Sequence, residues 1–277
     1  MKKHFPILLL LLVTTATFAQ SREKTKGSKN VTTLLRNIGA FKTIEIDDNI
    51  EAFLEVGDIA GIKIEADGNL HDIISTDVVD NVLNIHTLKD ITRFKKLQVR
   101  ITYTKDLNLV SLKNEATVNA IQQIQLDSIA FKSYGDSKLF LNINSKHFRL
   151  ESNDKSKVEL NLTSDKAKLI LSQNATLKAL VKTTDLTADL YQKTDAKIEG
   201  TATNGVLRTD SDSKLNASKL TIKNIKLVTE GSSEAAVNAE TTITITASGK
   251  SEIDLYGDPA IEMKKFADEA KLIKKVK

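Results

Sequence analysis

The sequence contains no cysteine and no tryptophan, and aromatic residues make up only 5% of it. Without cysteine the chain has no disulfides, no thiolate metal site and no cysteine nucleophile. The scarcity of aromatic residues argues against a sugar-binding platform built from stacked rings. After the first 20 residues, no apolar run approaches the ~20 residues that a membrane-spanning helix needs. The fold must therefore be stabilised by its own core.

The first residues, MKKHFPILLLLLVTTATFAQ, have the pattern of an export signal. Lys2 and Lys3 precede an apolar run of roughly a dozen residues, too short to span a bilayer. Small residues at Thr17 and Ala19 then match a signal-peptidase site. The pattern predicts a signal peptide over residues 1–19, with a retained membrane anchor as the alternative. An exported chain of this kind is expected in the periplasm, on the cell surface or in the medium.

Basic and acidic residues are nearly balanced, 40 against 36, and are interspersed along the chain. A nucleic-acid-binding protein usually carries a basic stripe on one face. The charge pattern therefore predicts no nucleic-acid partner.

After a polar segment, residues 20–40, which we interpret as a leader or linker, apolar and polar residues alternate with a period of two. FKTIEI, EAFLEV and LQVRITY are examples from residues 41–110. This alternation predicts half-buried strands, separated by turn signals such as Asp67-Gly68-Asn69. The one segment with a helical pattern is residues 71–80, HDIISTDVVD.

From residue 111 onwards the chain repeats a unit in which a polar turn is followed by a small residue and, two positions later, an aliphatic one. The small residues are Ala116, Ser137, Ser156, Ala175, Ala196, Ser213, Ala235, Ser251 and Ala270. They recur about every 19 residues, and such fixed periods indicate a repeat architecture. Two short strands per unit predict a right-handed, β-helix-like solenoid of about nine coils over residues 111–277. The small residue would fill a tight corner of each coil.

Two alternatives remain at this point. An antiparallel sandwich also has strands every 8–12 residues, although it does not require a small residue at one phase of every unit. The last segment, FADEAKLIKKVK, could form an amphipathic helix. Because Ala270 follows Ser251 by one repeat length, we interpret this segment as a final coil.

The closing repeat is Ser248-Gly249-Lys250-Ser251-Glu252-Ile253, followed by Tyr256-Gly257-Asp258-Pro259. These elements resemble the head GIN domain family of putative auto-transporter adhesins, over residues 41–277. In most units another residue replaces the family's turn glycine, two positions before the small residue. Gly135 and Gly249 keep it, and the other units have Asn114, Asp154, Gln173, Thr194, Ser211 and Ser233. The resemblance implies an exported, solenoid-like domain with no known ligand or catalytic residue.

No set of residues predicts a catalytic, cofactor-binding or metal-binding site. His71, His86 and His147 lie in different segments without ligand spacing, and we expect them to be solvent-facing strand residues. Asp210 and Asp212 bracket a turn, which accounts for them without catalysis. A carbohydrate-active enzyme would need such carboxylates in one row over successive coils. Asp195, Asp212 and Glu234 are the stretch in which calcium could bind.

Three functions follow from these features. The first is a non-enzymatic exported solenoid that presents a repetitive surface to a cell-surface polymer, a protein or a second copy of itself. The second is a periplasmic module with a structural or sensing role. The third is a carbohydrate-active solenoid enzyme, which the broken carboxylate row disfavours.

Overall fold

The alternating pattern folds into twenty β-strands in a computed structural model that describes residues 22–276. The predicted signal peptide, residues 1–19, lies outside the described residues. Ten strands form the N-terminal region: β1 (Lys24–Lys26), β2 (Val31–Arg36), β3 (Thr43–Ile46), β4 (Glu51–Val56), β5 (Gly61–Asp67), β6 (Ile74–Val79), β7 (Val82–Thr87), β8 (Asp90–Thr92), β9 (Leu97–Tyr103) and β10 (Leu109–Leu112).

Seven long strands follow, one per repeat: β11 (Thr117–Ser133), β12 (Lys138–Ser152), β13 (Lys157–Leu171), β14 (Thr176–Leu190), β15 (Asp195–Thr209), β16 (Lys214–Thr229) and β17 (Glu234–Ala247). Three shorter strands complete the chain: β18 (Glu252–Tyr256), β19 (Ala260–Phe266) and β20 (Lys271–Lys274).

Each long strand pairs in parallel with the next, which confirms the predicted β-solenoid of about nine turns. Leu139, Val158 and Leu177 are aligned on successive strands and are all buried. Aligned residues of parallel strands point to the same face, so each core position becomes a ladder of aliphatic side chains. The parallel pairing excludes the antiparallel sandwich for the repeat region.

Each long strand consists of two arms joined at a bend. At the bend one residue, such as Asp165 in β13 or Thr184 in β14, drops out of the ladder and the inward–outward alternation changes phase. The two arms of β17 pair separately, the first with β18 and the second with β19. The apolar side chains of both arms form one continuous core.

A tight turn with a left-handed residue closes every coil. In these turns the residue with positive φ is, coil by coil, Asp48, Asn114, Gly135, Asp154, Gln173, Gln192, Ser211, Gly231, Gly249 and Asp268. Two positions later a residue packs into the corner, and in the long coils that residue is almost always small. Ser156 is completely buried there, and its Oγ lies 2.6 Å from the Oγ of Ser152. The small-corner prediction is therefore confirmed for most coils.

The prediction of the corner residue is wrong in two coils, where Ala196 and Ala235 were expected at the corner. Thr194 and Ser233 occupy the corners, whereas Ala196 and Ala235 align with Leu215 in the aliphatic row two positions later. The left-handed residues of these turns are consequently Gln192 and Gly231. The sequence alone does not distinguish an alanine in the aliphatic row from a corner residue, because both are small. With this register, successive corners lie 18–21 residues apart.

The N-terminal region closes one end of the solenoid. β3 and β4 form the first coil beneath β10 and β11, and β7 and β9 pair with their other edges. β5 then pairs antiparallel with both β9 and β2, and β6 pairs antiparallel with β7. The edges of the first coil, and of β7 and β9 next to it, are therefore paired.

Two expectations change in this region. Residues 24–26 and 31–36, within the predicted leader 20–40, form β1 and β2, because backbone pairing with β8 and β5 fixes a segment that lacks a strong apolar alternation. The helical prediction for residues 71–80 is wrong. A 3₁₀ helix covers Gly68–Ile73, and the β-branched residues after it form β6 against β7.

At the other end, β20 pairs in parallel with β18, which confirms the final coil and excludes the amphipathic helix. Ala270 takes the corner position before it. Over residues 22–276, no helix has the length and apolar character that crossing a membrane would require.

Candidate binding groove

A groove of about 700 Å³ lies on the outward face of the first arms, and it crosses β11 to β15. Four steps between neighbouring strands separate its ends, a distance of about 19 Å. The groove therefore runs along the solenoid axis, across the strands, and is open to solvent along its length.

Two ladders of outward-pointing side chains form the floor. The first aligns Phe140, Glu159, Lys178 and Lys197 on β12 to β15, and the second aligns Asn142, Asn161, Leu180 and Glu199 on the same strands. Two large apolar side chains stand in these otherwise polar rows. Phe140 is 37% exposed and Leu180 is 56% exposed, and two strand steps separate them. A ligand in the groove would meet an apolar surface, then amides and charges, then a second apolar surface.

Irregularities in the ladder mark both ends of the groove. At one end the register between β11 and β12 shifts after Ala120, and at the other the register between β15 and β16 shifts after Lys197. Gly200 belongs to the second irregularity and has a φ of 116°. A Cβ atom at this position would lie 2.0 Å from the carbonyl oxygen of Val181. Only glycine permits this close backbone approach.

The charges in the groove are balanced. The Lys197 Nζ lies 2.9 Å from the Glu199 Oε1, and this hydrogen bond lowers the pKa of the Glu199 carboxyl. Glu159 and Lys178 take part in none of the ion pairs within 4.0 Å that the described residues form. Asn161 donates a hydrogen bond of 3.2 Å to Asn142. The groove thus offers both donors and acceptors without a net charge.

The three histidines considered above, His71, His86 and His147, are separate from one another, and they differ in exposure. His147 is exposed on β12 and His86 is half-buried on β7. His71 is buried, which corrects its predicted solvent-facing position, and its Nε2 lies 2.8 Å from the Thr32 Oγ1. β2 covers this histidine, and the sequence gives no sign of that contact. Within the described part of the chain, no group of three or more histidine and acidic side chains could hold a metal ion.

The carboxylates singled out in the sequence serve turns and ion pairs. Asp210 accepts a hydrogen bond from the Ser211 backbone N–H, at 2.6 Å. Asp195 and Glu234 align with Lys214 between them, and the Lys214 Nζ lies 2.8 Å from the Glu234 Oε1. That hydrogen bond raises the pKa of Lys214. Asp212 belongs to the preceding turn, so the structure does not form the row proposed for calcium.

Sequence reasoning did not find the groove residues, although a signal for them exists. Leu139-Phe140-Leu141 and Ala179-Leu180-Val181 are runs of three apolar residues within strictly alternating strands. In each run the middle residue points outward, away from the core. An apolar residue at an outward position is therefore the pattern that marks this surface.

Comparison with known proteins gives one family and several structures. The family model described as "Putative auto-transporter adhesin, head GIN domain" matches residues 40–164 and 157–259. A search of curated proteins gave no match.

Solved structures share the fold at low sequence identity. A putative adhesin from Parabacteroides distasonis is 20% identical, with a TM-score of 0.68 over 90% of this chain and 99% of that one. A putative adhesin from Parabacteroides merdae is 21% identical, with a TM-score of 0.66 over 92% and 100%. A putative lipid binding protein from Parabacteroides distasonis is 16% identical, with a TM-score of 0.65 over 91% and 97%.

Proposed function

Because the chain belongs to the family of putative auto-transporter adhesins with a head GIN domain, we propose that it is an adhesin-like binding protein whose ligand lies in the groove across β11 to β15. The observation that carries the proposal is the exposure of Phe140 and Leu180 in ladders that are otherwise polar. Side chains of this size at outward strand positions mark a binding surface when they line a concave site.

The shape and chemistry of the groove favour a polysaccharide chain as its ligand. A groove about 19 Å long and two residues wide suits an extended polymer better than a folded protein, which needs a wider interface. Sugar rings combine apolar faces with hydroxyl groups, so Phe140 and Leu180 would contact the faces while Asn142 and Asn161 bind the hydroxyls. A single phenylalanine makes this site different from the aromatic platform that the composition argues against.

Catalysis finds no support in the groove. Its acidic residues, Glu159 and Glu199, lie on different ladders and two strand steps apart. A general acid has to be protonated before it can donate its proton. The ion pair with Lys197 lowers the pKa of the Glu199 carboxyl and so favours its ionised form. We therefore assign the groove to binding.

The test is binding of the purified chain to polysaccharide extracted from the surface of cells that export it. Phe140→Ala and Leu180→Ser should each lower the affinity about tenfold, which corresponds to about 1.4 kcal/mol. Val206→Ser is the matched control, because Val206 is 45% exposed on the second arm of β15, away from the groove. Equal losses in all three variants would contradict the proposed groove.

Treatment of the target cells identifies the class of ligand. Binding to protease-treated cells should persist, and binding to periodate-oxidised cells should be lost, because periodate cleaves the diols of sugar rings. The opposite result would make the ligand a protein and overturn the polysaccharide assignment.

We propose that the chain lies on the cell surface, which its family of putative adhesins favours. Intact cells treated with a protease that cannot enter them should lose the chain, while a known periplasmic protein survives. Protection of both proteins would favour the periplasmic structural or sensing role instead.

A further inference from the structure

The two margins of the groove carry a positive charge that its floor lacks. Lys138 and Lys157 stand along the margin next to the turns, and Lys182 stands along the margin next to the bends. All three lysines are exposed. None of them takes part in an ion pair within 4.0 Å among the residues that the structure describes. Their charges are therefore free to meet a ligand in the groove.

The excess of positive charge is confined to the groove side of these strands. The outward residues on the first arms of β12 to β14 include four lysines, the three on the margins and Lys178 on the floor, and one acidic residue, Glu159. On the second arms of the same strands the outward charges balance: Arg149, Lys166 and Lys168 stand with Glu151, Asp185 and Asp189. The positive charge thus follows the groove and not the strands as a whole.

The row of side chains that contains Lys138 changes its charge pattern along the solenoid. Over β15 to β17 this row alternates as Asp195, Lys214 and Glu234, so that each lysine has an acidic neighbour. Beside the centre of the groove the row places Lys138 next to Lys157, on strands about 4.8 Å apart. Aligned like charges repel each other. An anion held between the two ammonium groups would replace this repulsion with attraction.

We infer that the polysaccharide in the groove is acidic, with carboxylates on its sugar rings that bind Lys138 and Lys157 at one margin and Lys182 at the other. This inference rests on the proposed polysaccharide-binding function and names the chemical class of the ligand. Lysine recognises an anion as a point charge, whereas arginine offers a planar fork of donors. The first arms of β11 to β15 contain no arginine, so charge and position would select the ligand.

The position of the lysines relative to the apolar side chains favours charges on the edge of a sugar ring. Lys138 precedes Phe140 by two residues, and Lys182 follows Leu180 by two, so each lysine lies about 6.6 Å along the strand from an apolar contact. A ring that lies on Phe140 would direct its edge substituents towards the margin. The carboxylate of a uronic acid is such a substituent. Single-stranded nucleic acid instead stacks successive bases on several aromatic side chains, and the groove has one phenylalanine.

Removal of the carboxylates from the ligand tests the inference. The extracted surface polysaccharide is measured before and after carbodiimide activation and borohydride reduction, which convert carboxylates into primary alcohols and keep the sugar chain. Reduction should lower the affinity about tenfold, and rising NaCl should weaken binding of the native form because salt screens the charges. Equal binding of both forms would overturn this inference alone. No binding of the native form, or unchanged binding by Phe140→Ala, would overturn the groove proposal and this inference with it.

Substitution of the lysines tests where the charge is read. Lys138→Gln combined with Lys157→Gln should lower the affinity for the native polysaccharide about tenfold and leave that for the reduced form unchanged. Lys166→Gln combined with Lys168→Gln is the matched control, because these lysines are also exposed and lack ion pairs but lie on the second arm of β13. The control should change the affinity less than about twofold. Equal losses in both double variants would show a response to net charge and overturn the assignment.

Single-stranded DNA separates an acidic sugar from other polyanions. At the same salt concentration it should bind the wild type about tenfold more weakly than the native polysaccharide does, because it offers no ring with a carboxylate at its edge. The melting temperature of each lysine variant should match that of the wild type, which excludes unfolding as the cause of a weaker affinity. DNA that binds as tightly as the polysaccharide would make the groove a general polyanion site and overturn the inference.

Discussion

The repeat coils and the N-terminal region share one continuous hydrophobic core, but their strands pair in different ways. From β12 to β17 every strand has parallel neighbours one repeat away, and side chains of one kind stack in ladders. In the N-terminal region the strands are short, parallel and antiparallel pairings are mixed, and partners such as Glu51 and Gln98 lie far apart in the sequence. A uniform ladder can be extended coil by coil, but its outermost strand always has one unpaired edge, which a different structure must cover.

Ending the ladder requires polar groups that a coil does not need. Asp67, at the end of β5, is completely buried and accepts hydrogen bonds from the backbone N–H groups of Lys29, Lys95 and Lys96, at 2.7–3.1 Å. Next to it, hydrogen bonds from Lys63 and Lys96 lower the pKa of Glu65 to about 2. These carboxylates hold together the segments that cover the first coil.

The largest expected effect is therefore the loss of Asp67. Asp67→Ala leaves three backbone donors without an acceptor in a buried site, and it should destabilise the fold by about 3–5 kcal/mol. Chemical denaturation measures this change. Asp72→Ala is the control, because Asp72 lies on the exposed side of the neighbouring 3₁₀ helix and should change stability by less than about 0.5 kcal/mol.

The same substitution should alter the response to acid. Burial acts to raise the pKa of Asp67, but the three backbone N–H donors outweigh it, so the net shift is downward. A carboxyl whose pKa is lower in the folded state contributes stability that is complete above its unfolded pKa of about 3.9 and is lost as the pH falls through the folded value. Stability of the wild type should thus decline below pH 4 more steeply than that of Asp67→Ala. Identical acid slopes would show that Asp67 is not ionised in the fold.

These two regions also differ in what could be predicted from the sequence. Every repeat has the same pattern of residues, so the coils could be recognised from the spacing of Ser137, Ser156 and Ala175. The pairing of the N-terminal strands could not be predicted, because β5 and β9 have the same alternation as any coil strand. The direction of their pairing is set by contacts between residues far apart in the sequence. The sequence thus predicts repeated structure well and unique structure poorly.

The groove could be predicted from the sequence only in part. Its floor belongs to the regular coils, so its ladders follow from the repeat once the register is known. Its ends depend on irregularities after Ala120 and Lys197, which no repeat rule contains. Only the outward apolar residues, Phe140 and Leu180, leave a trace in the sequence.

A smaller effect on stability is expected from leucine substitutions that compare the corner with the aliphatic row. Ser156→Leu should destabilise the fold by about 1–3 kcal/mol, because the corner has no room for the larger side chain and a buried hydroxyl bond is lost. Ala196→Leu adds the same side chain in the aliphatic row, where its neighbours in register are Leu177 and Leu215, and should cost less. Thermal unfolding of both variants compares the two positions directly. Equal costs would mean that the corrected register does not govern packing.

The smallest effect concerns the left-handed residue of the turns. Gln192 has a φ of 64° and is exposed, so glycine there relieves an unfavourable backbone conformation without removing a packed side chain. Part of that gain is offset by the greater freedom of glycine in the unfolded chain, which leaves a stabilisation of about 0.5–1 kcal/mol. Gly249→Ala, at the equivalent turn, should act in the opposite direction, because its Cβ would lie 2.6 Å from the carbonyl oxygen of Gly231. Denaturation midpoints that shift the same way in both variants would show that turn geometry, shared by every coil, is not what sets their stability.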